Sequence, residues 1–218
     1  MAGLTVHTEP ASEPLSQSET KSYLRVTDSG DDALITSLIV TARKIAEEHM
    51  SRAIISQTLR LFVDSLDEYE DPLWEGVRTG AYLNYYKDYI DLPFPDVSSV
   101  THVKTYDDED NATTFASSKY YLDNARQPAR LVLRTGETFP TALRVANAIE
   151  VQYVTGYSDA SSVPAPIKIA LLQIVAFLYE HRGDMYEGQS SLPTTARKLL
   201  DPYVVYSGLG SSKLLQIG

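Results

Sequence analysis

The sequence predicts an α+β protein, a helical core carrying an inserted antiparallel β region, and three observations predict it. Apolar residues recur at helical spacing near 31–50 and 164–182, with shorter helical stretches near 16–25 and 193–201. Between the two long helices, over 54–157, the apolar period falls to two. No helix-length crossover separates the inner strands, so their sheet is antiparallel. A chain of 218 residues is one domain's length and buries roughly 70% of its unfolded surface, so it needs no covalent staple.

Residues 1–13 are polar, contain Pro10 and lack a period, and they predict a flexible N-terminal arm. Ser16 and Glu19 have capping-box spacing and open a short helix that Asp28-Ser29-Gly30 breaks. Asp31 and Asp32 stand where a helix start favours negative charge. Behind them Leu34, Leu38, Ala42 and Ile45 form a stripe widened by Ile35, Ile39 and Ala46. Arg43, Lys44, Glu47 and Glu48 are then expected to face water.

Ile55, Leu59, Leu61 and Val63 alternate with Ser56, Thr58 and Arg60 as a half-buried strand does. The acidic, aromatic stretch 64–96 holds Trp74, Tyr82, Tyr85, Tyr86 and Tyr89 and reads as a long loop or extended hairpin. Further strands are expected at 97–106, 119–124, 129–134 and 148–154. Pro164 and Pro166 suit a helix's first turn, and Gly183 suits its stop. The helix between them is apolar nearly all round, so it is either central in its domain or wedged between subunits. Residues 207–218 form a C-terminal tail, a Gly/Ser linker ending in Leu214, Leu215 and Ile217.

Nineteen basic and twenty-nine acidic residues give a formal charge of −10. Thirteen acids and three bases lie between Asp64 and Asp110, so the whole surplus sits in that segment. Tight nucleic-acid binding needs a basic patch that releases counterions, and none is visible. With no cysteine, disulfides, thiolate metal sites and cysteine nucleophiles drop out together. The N-terminus has no signal-peptide pattern, and no apolar run nears the ~18 residues of a membrane span.

Enzyme motifs fail on inspection. Gly208-Leu209-Gly210-Ser211-Ser212-Lys213 lacks the glycine directly before the lysine of a phosphate loop. Asp107-Asp108-Glu109-Asp110-Asn111 opens like a calcium loop, but Ala112 replaces the turn glycine and Ser118 the bidentate glutamate. No nucleophile elbow or dinucleotide turn is present. No catalytic, cofactor or metal site is assigned. Tyr82, Tyr85, Tyr86 and Tyr89, flanked by Asp88 and Asp91, fit either a carbohydrate groove or the packed side of an insertion.

The order of the blocks carries the positive signal. Pro14-Leu15-Ser16-x-x-Glu19 precedes Ala42-Arg43-x-x-Ala46-Glu47, then Arg52-Ala53-Ile54-Ile55-x-Gln57-Thr58 and Ile90-Asp91-Leu92-Pro93. Tyr120-Tyr121-Leu122-Asp123, Ala129-Arg130-Leu131, Thr155-Gly156-Tyr157, Val163-Pro164-x-Pro166, Tyr179-Glu180-His181-Arg182 and Leu199-Leu200-x-Pro202-Tyr203 follow. Over residues 14–206 this series resembles the head–tail connector family of tailed bacteriophages, the adaptor or head-completion proteins.

The resemblance implies a connector domain over 14–206, its β-rich insertion at 54–157. It implies a ring of the chain itself, usually of twelve copies, beneath the portal protein in the virion neck. Such a ring extends the DNA channel and offers a docking site to a tail terminator or the next neck protein. The chain would be made in the host cytoplasm, with no cofactor, catalysis or membrane contact. An acidic bore would let DNA pass without specific binding, since like charge gives no binding minimum. The candidate channel-facing acids are Asp64, Asp67, Glu68, Glu70, Asp71, Asp107, Asp108, Glu109 and Asp110; meeting a basic tail protein would explain them equally well. Candidate portal anchors are Leu209, Leu214, Leu215 and Ile217 in the tail. Arg126, Arg130, Arg134 and Arg144, on strand-like sequence, are candidate inter-subunit partners. The alternative function is a carbohydrate- or receptor-binding module of a virion.

Overall fold

Ser16 starts the first helix as its spacing predicts: its Oγ accepts the Glu19 amide at 3.1 Å, and α1 runs Gln17–Leu24. In this computed structural model, residues 2–64, 89–182 and 192–205 are described. Helix α2 spans Asp32–Met50, α3 Ala165–Glu180 and α4 Thr194–Leu200. Pro164 caps α3 and Pro166 lies in its first turn, where a missing amide hydrogen costs nothing. Gly183 lies outside the described residues.

Among the described residues, eight strands form two antiparallel sheets. Strands β1 (Ala2–Thr8), β2 (Gln57–Val63), β4 (Val97–Tyr106), β5 (Ala112–Phe115) and β8 (Ile149–Thr155) make the larger, in the order β1-β2-β8-β4-β5. Strands β3 (Tyr89–Leu92), β6 (Tyr120–Asp123) and β7 (Ala129–Leu133) make the smaller, in the order β3-β7-β6. Leu59, Leu61, Val103, Val151 and Tyr153 of the larger sheet share one apolar cluster with Ile90, Leu92, Leu131 and Leu133 of the smaller. A second cluster joins Ile35, Ile39, Ala42 and Met50 of α2 to Ile167, Leu171, Ile174 and Val175 of α3. Each large side chain so buried contributes about 1.5–3 kcal/mol.

The expected flexible arm is not loose over residues 2–13. Ala2–Val6 pairs in register with Leu59–Val63 of β2, so β1 is the edge of the larger sheet. Leu4 is 5% exposed beneath it. Leu4 and Val6 stand opposite Leu61 and Leu59 and alternate in phase with them, so β1 extends the apolar face of the sheet. The stretch 64–96, read as loop or hairpin, contributes a short strand, β3; its residues 65–88 lie outside those described. Strand β5, absent from the sequence reading, is the short return of a hairpin from β4.

One backbone position accepts glycine alone. Gly156, where β8 leaves the sheet, has φ +101°, and a Cβ there would lie 2.5 Å from the Ile55 carbonyl oxygen. That close approach lets Ser56 N–H donate to Tyr157 and Tyr157 N–H donate to Ile54, which joins the sheet to the helical cluster.

Candidate functional site

The two apolar clusters meet at a charged joint. Arg43 and Glu47 were expected on the water-facing side of α2, yet they are 2% and 7% exposed. The reason is tertiary: the segment after β1 folds over them. Arg43 donates from Nε to Glu13 at 2.8 Å and from Nη1 to Glu47 at 2.9 Å. Glu9 completes the set, 3.5 Å from Arg43 and 3.1 Å from Lys44. Glu47 Oε1 in turn accepts the Ile54 amide at 2.8 Å and Gln57 Nε2 at 3.4 Å. One carboxylate thereby fastens α2 to the start of β2.

Burial pushes Glu47 above its ordinary value, and the Arg43 charge offsets this only in part. Burial also works to lower Arg43, but the Glu13 hydrogen bond and the Glu47 charge outweigh it and raise it. A narrow cleft beside the joint is lined by Leu4, Val6, Glu9, Arg43, Glu47 and Phe94. The polar groups there are engaged with one another, so the arrangement is suited to holding two layers together rather than to moving a proton.

Arg52, just past α2, is a second tie. It is 7% exposed and donates to Asp96, to Gln127 Oε1 at 3.0 Å and to the Tyr203 carbonyl at 3.3 Å. The Val205 amide donates to the Met50 carbonyl at 2.9 Å. The chain therefore reaches residue 205 fastened to the end of α2.

The outward face of the larger sheet carries a polar network. Glu150 on the central strand is 3% exposed. It accepts from Tyr106 Oη at 2.5 Å and lies 3.2 Å from His102 Nε2 and 3.3 Å from Arg60. Burial works to raise Glu150, but the Tyr106 hydroxyl, His102 and Arg60 outweigh it and hold the carboxyl below its ordinary value. No group of three or more metal-ligating side chains comes together among the described residues.

The acids expected in a channel divide by environment. Asp64 ends β2 and accepts the Asn147 amide at 2.8 Å, which lowers its pKa. Asp107 holds its own turn: it accepts the Asn111 amide at 2.8 Å and the Glu109 amide at 3.0 Å, and is lowered by them. Asp110 pairs with Arg144 at 3.0 Å. Asp108 and Glu109 are exposed at the tip of the β4–β5 turn. Asp67, Glu68, Glu70 and Asp71 lie outside the described residues, as do Leu209, Leu214, Leu215 and Ile217.

Of the four arginines, only Arg130 is on a strand. It pairs across the sheet with Asp123 at 2.5 Å and lies 5.1 Å from the Tyr89 ring. Arg144, in a loop, packs 4.1 Å from the Tyr106 ring and donates to the Asn147 carbonyl. Arg134 lies over Tyr121, and Arg126 is exposed in the loop before β7. Of the tyrosine set 82–89, only Tyr89 is described.

Sequence reasoning missed the joint. Its signal was the pairing of Arg43 with Glu47 four residues on, beside Ala42 and Ala46, small residues that let neighbouring backbone approach the helix.

No family model and no curated protein matches the chain. Solved structures do. A chain in the neck of an empty GTA particle computed with C6 symmetry superposes with a TM-score of 0.73 at 21% identity, covering 95% of this chain and 97% of that one. A chain in the virion of a native gene transfer agent particle gives 0.70 at 21% identity, with the same coverage. A chain in the neck of a native GTA particle computed with C12 symmetry gives 0.69 at 23% identity, again over 95% and 97%. Over nearly its whole length, then, this chain has the fold of chains found in gene transfer agent particles, two of those matches being to particle necks.

Proposed function

We propose that this chain is a structural, non-catalytic virion protein of the neck, a head–tail adaptor that assembles as a ring under the portal. One observation carries the reading: the fold is shared over 95% of the chain with chains of neck assemblies computed with C6 and C12 symmetry. A ring of twelve extends the DNA channel and presents a surface to the tail terminator or next neck protein. DNA passes through the bore without specific binding.

The geometry favours some of the candidate groups for these roles over others. Asp107 and Asp110 are committed to their own turn and to Arg144, so Asp108 and Glu109 are the acids of that turn which a bore or a basic partner would meet. Arg130 and Arg144 are likewise engaged within the chain, which leaves Arg126 and Arg134 as the arginines for a neighbour. The tail after residue 205 starts from a point fixed by Arg52 and Met50, and Leu209, Leu214, Leu215 and Ile217 serve there as portal anchors.

The test is mass by light scattering, for the chain alone and mixed with the isolated portal of the same particle. Addition of about one copy per portal subunit supports the adaptor, and truncation after Tyr206 should abolish that addition while the fold persists. No association at modest salt would return the function to a carbohydrate- or receptor-binding module.

A further inference from the structure

Helices α2 and α3 present outward surfaces unlike those of a lone soluble domain. Charged residues make up 22% of the chain, so a run of ten carries about two on average composition. Ala33–Ala42 of α2 and Ile169–Tyr179 of α3 carry none. The buried sides of both helices are spent within the helical cluster, on each other and on α1 and α4, through residues such as Ile35, Ile39 and Ala42 of α2 and Ile167, Leu171 and Ile174 of α3. Charge is nevertheless missing from the outer sides as well. Ala33, Leu34, Ser37 and Thr41 are exposed on α2. On α3, Ile169 is 47% exposed, with Gln173 and Ala176 following at one and two turns. A helix face turned only to water carries charge; a subunit interface is depleted of it.

We infer that the outward side of α2 in one copy of this chain packs against the outward side of α3 in the next copy. The inference rests on the ring reading above and names the contact that would close the ring. Three further facts support a second copy as the occupant. Each copy has a formal charge of −10, so like chains approach at least Coulomb cost where a face bears no charge. The two faces differ and point away from the interface the helices share, so the contact is head-to-tail, the kind that generates rings. Gln173 Oε1 is shielded and finds no donor among the described residues. The hydroxyls of Ser37 and Thr41 are at present turned back on the carbonyls of Ala33 and Ser37. They lie on the α2 face that this contact would bring against a neighbour's Gln173.

The experiment uses two single variants of the full chain, Leu34→Lys and Ile169→Glu. Both side chains are exposed in the single chain, so each variant should melt within a few degrees of wild type. Sedimentation over rising concentration reads association. Wild type is expected to self-associate, and each variant alone to associate at least about tenfold more weakly, because a charge must be desolvated in the contact. Mixing the variants one to one is decisive. The α3 face of the first and the α2 face of the second are both intact, so the mixture should associate where neither variant does alone. Variants that associate like wild type, or a mixture that stays monomeric, overturn the inference and leave the ring reading standing. A wild-type chain that stays monomeric to about 1 mM likewise overturns the inference, and the ring reading then stands or falls by addition to the portal.

Discussion

Replacing Glu47 by alanine and by glutamine separates two ways in which the joint can work. Glu47→Ala removes the acceptor of the Ile54 amide, held at 2.8 Å beside a fully buried residue. A buried donor left unpaired costs about 1–3 kcal/mol, and the emptied side-chain volume adds about 1 kcal/mol. Arg43 keeps Glu13 at 2.8 Å, so its own loss is partial. The sum is about 2–4 kcal/mol, or roughly 5–15 °C in Tm for a chain of this size. Glu47→Gln keeps a carbonyl oxygen for Ile54 but loses the charge and, its second oxygen now an NH2 donor, the acceptor of Arg43 Nη1. Because burial raises Glu47 despite Arg43, and because Arg43 keeps Glu13 as a partner, Glu47→Gln should cost less than Glu47→Ala at neutral pH. The sign in pH follows. A carboxyl raised in the folded state binds its proton more tightly there, so its contribution is full below the ordinary value of 4.5 and is lost as pH rises through the folded pKa. The deficit of Glu47→Gln against wild type should therefore shrink over that window. Urea denaturation from pH 4 to 8 measures it. Equal losses for Ala and Gln, or a deficit that grows with pH, would show that attraction to Arg43 rather than the hydrogen bond to Ile54 secures the joint.

Deleting residues 1–13 strips β1 from β2 and takes Glu9 and Glu13 from Arg43; thermal melts should fall by at least about 5 °C, whereas a dispensable arm would leave them unchanged. Gly156→Ala sets a Cβ 2.5 Å from the Ile55 carbonyl at φ +101°, and should cost more than about 2 kcal/mol by denaturation. Tyr153→Phe removes a buried hydroxyl that donates to the Pro93 carbonyl at 2.7 Å, leaving an orphaned acceptor and a loss of about 1–2 kcal/mol. Glu150 is held below its ordinary value, so its contribution is present above the unfolded pKa and is lost as pH falls through the folded one. Glu150→Gln should thus flatten the acid limb of the stability curve, and an unchanged limb would sink that assignment.

Helices were legible because their signals are local. Ser16 with Glu19, Asp31 at the start of α2, and the prolines flanking Ala165 each act within one turn, and the four helices begin and end within two residues of where those signals put them. Strands at 57–63, 97–106 and 149–155 were legible because period two is also local. What escaped depends on partners far along the chain. Leu4 and Val6 alternate as a strand should, but seven residues among polar neighbours show no core, and the partner that makes them a strand is Leu59–Val63. Arg43 and Glu47 have the spacing of a surface pair four residues apart, which is what they would be without Glu13 folding over them. Division of the strands into two sheets, likewise, follows from pairings such as Val103 with Val151 that no local pattern announces.

The same division governs where charge remains for assembly. Arg43 and Arg52 are consumed in joining sheet to helices, Arg130 in pairing β6 to β7, and Arg144 in holding the β4–β5 turn. Two of the four arginines that a sequence reading offers to a neighbour are thus spent inside each copy, while exposed acids such as Glu48, Asp108 and Glu109 remain outside. Copies of such a chain repel over most of their surface. If they assemble, they must do so through surfaces bare of charge or through the few arginines left over. The longest uncharged helical stretches among the described residues lie on α2 and α3. A ring built through them would place its adhesion in the helical layer and leave the sheets with their acidic turns free to face the bore or the tail. Contact and repulsion then sit in different layers of one fold, and the charged joint at Arg43 and Glu47 keeps those layers in fixed relation.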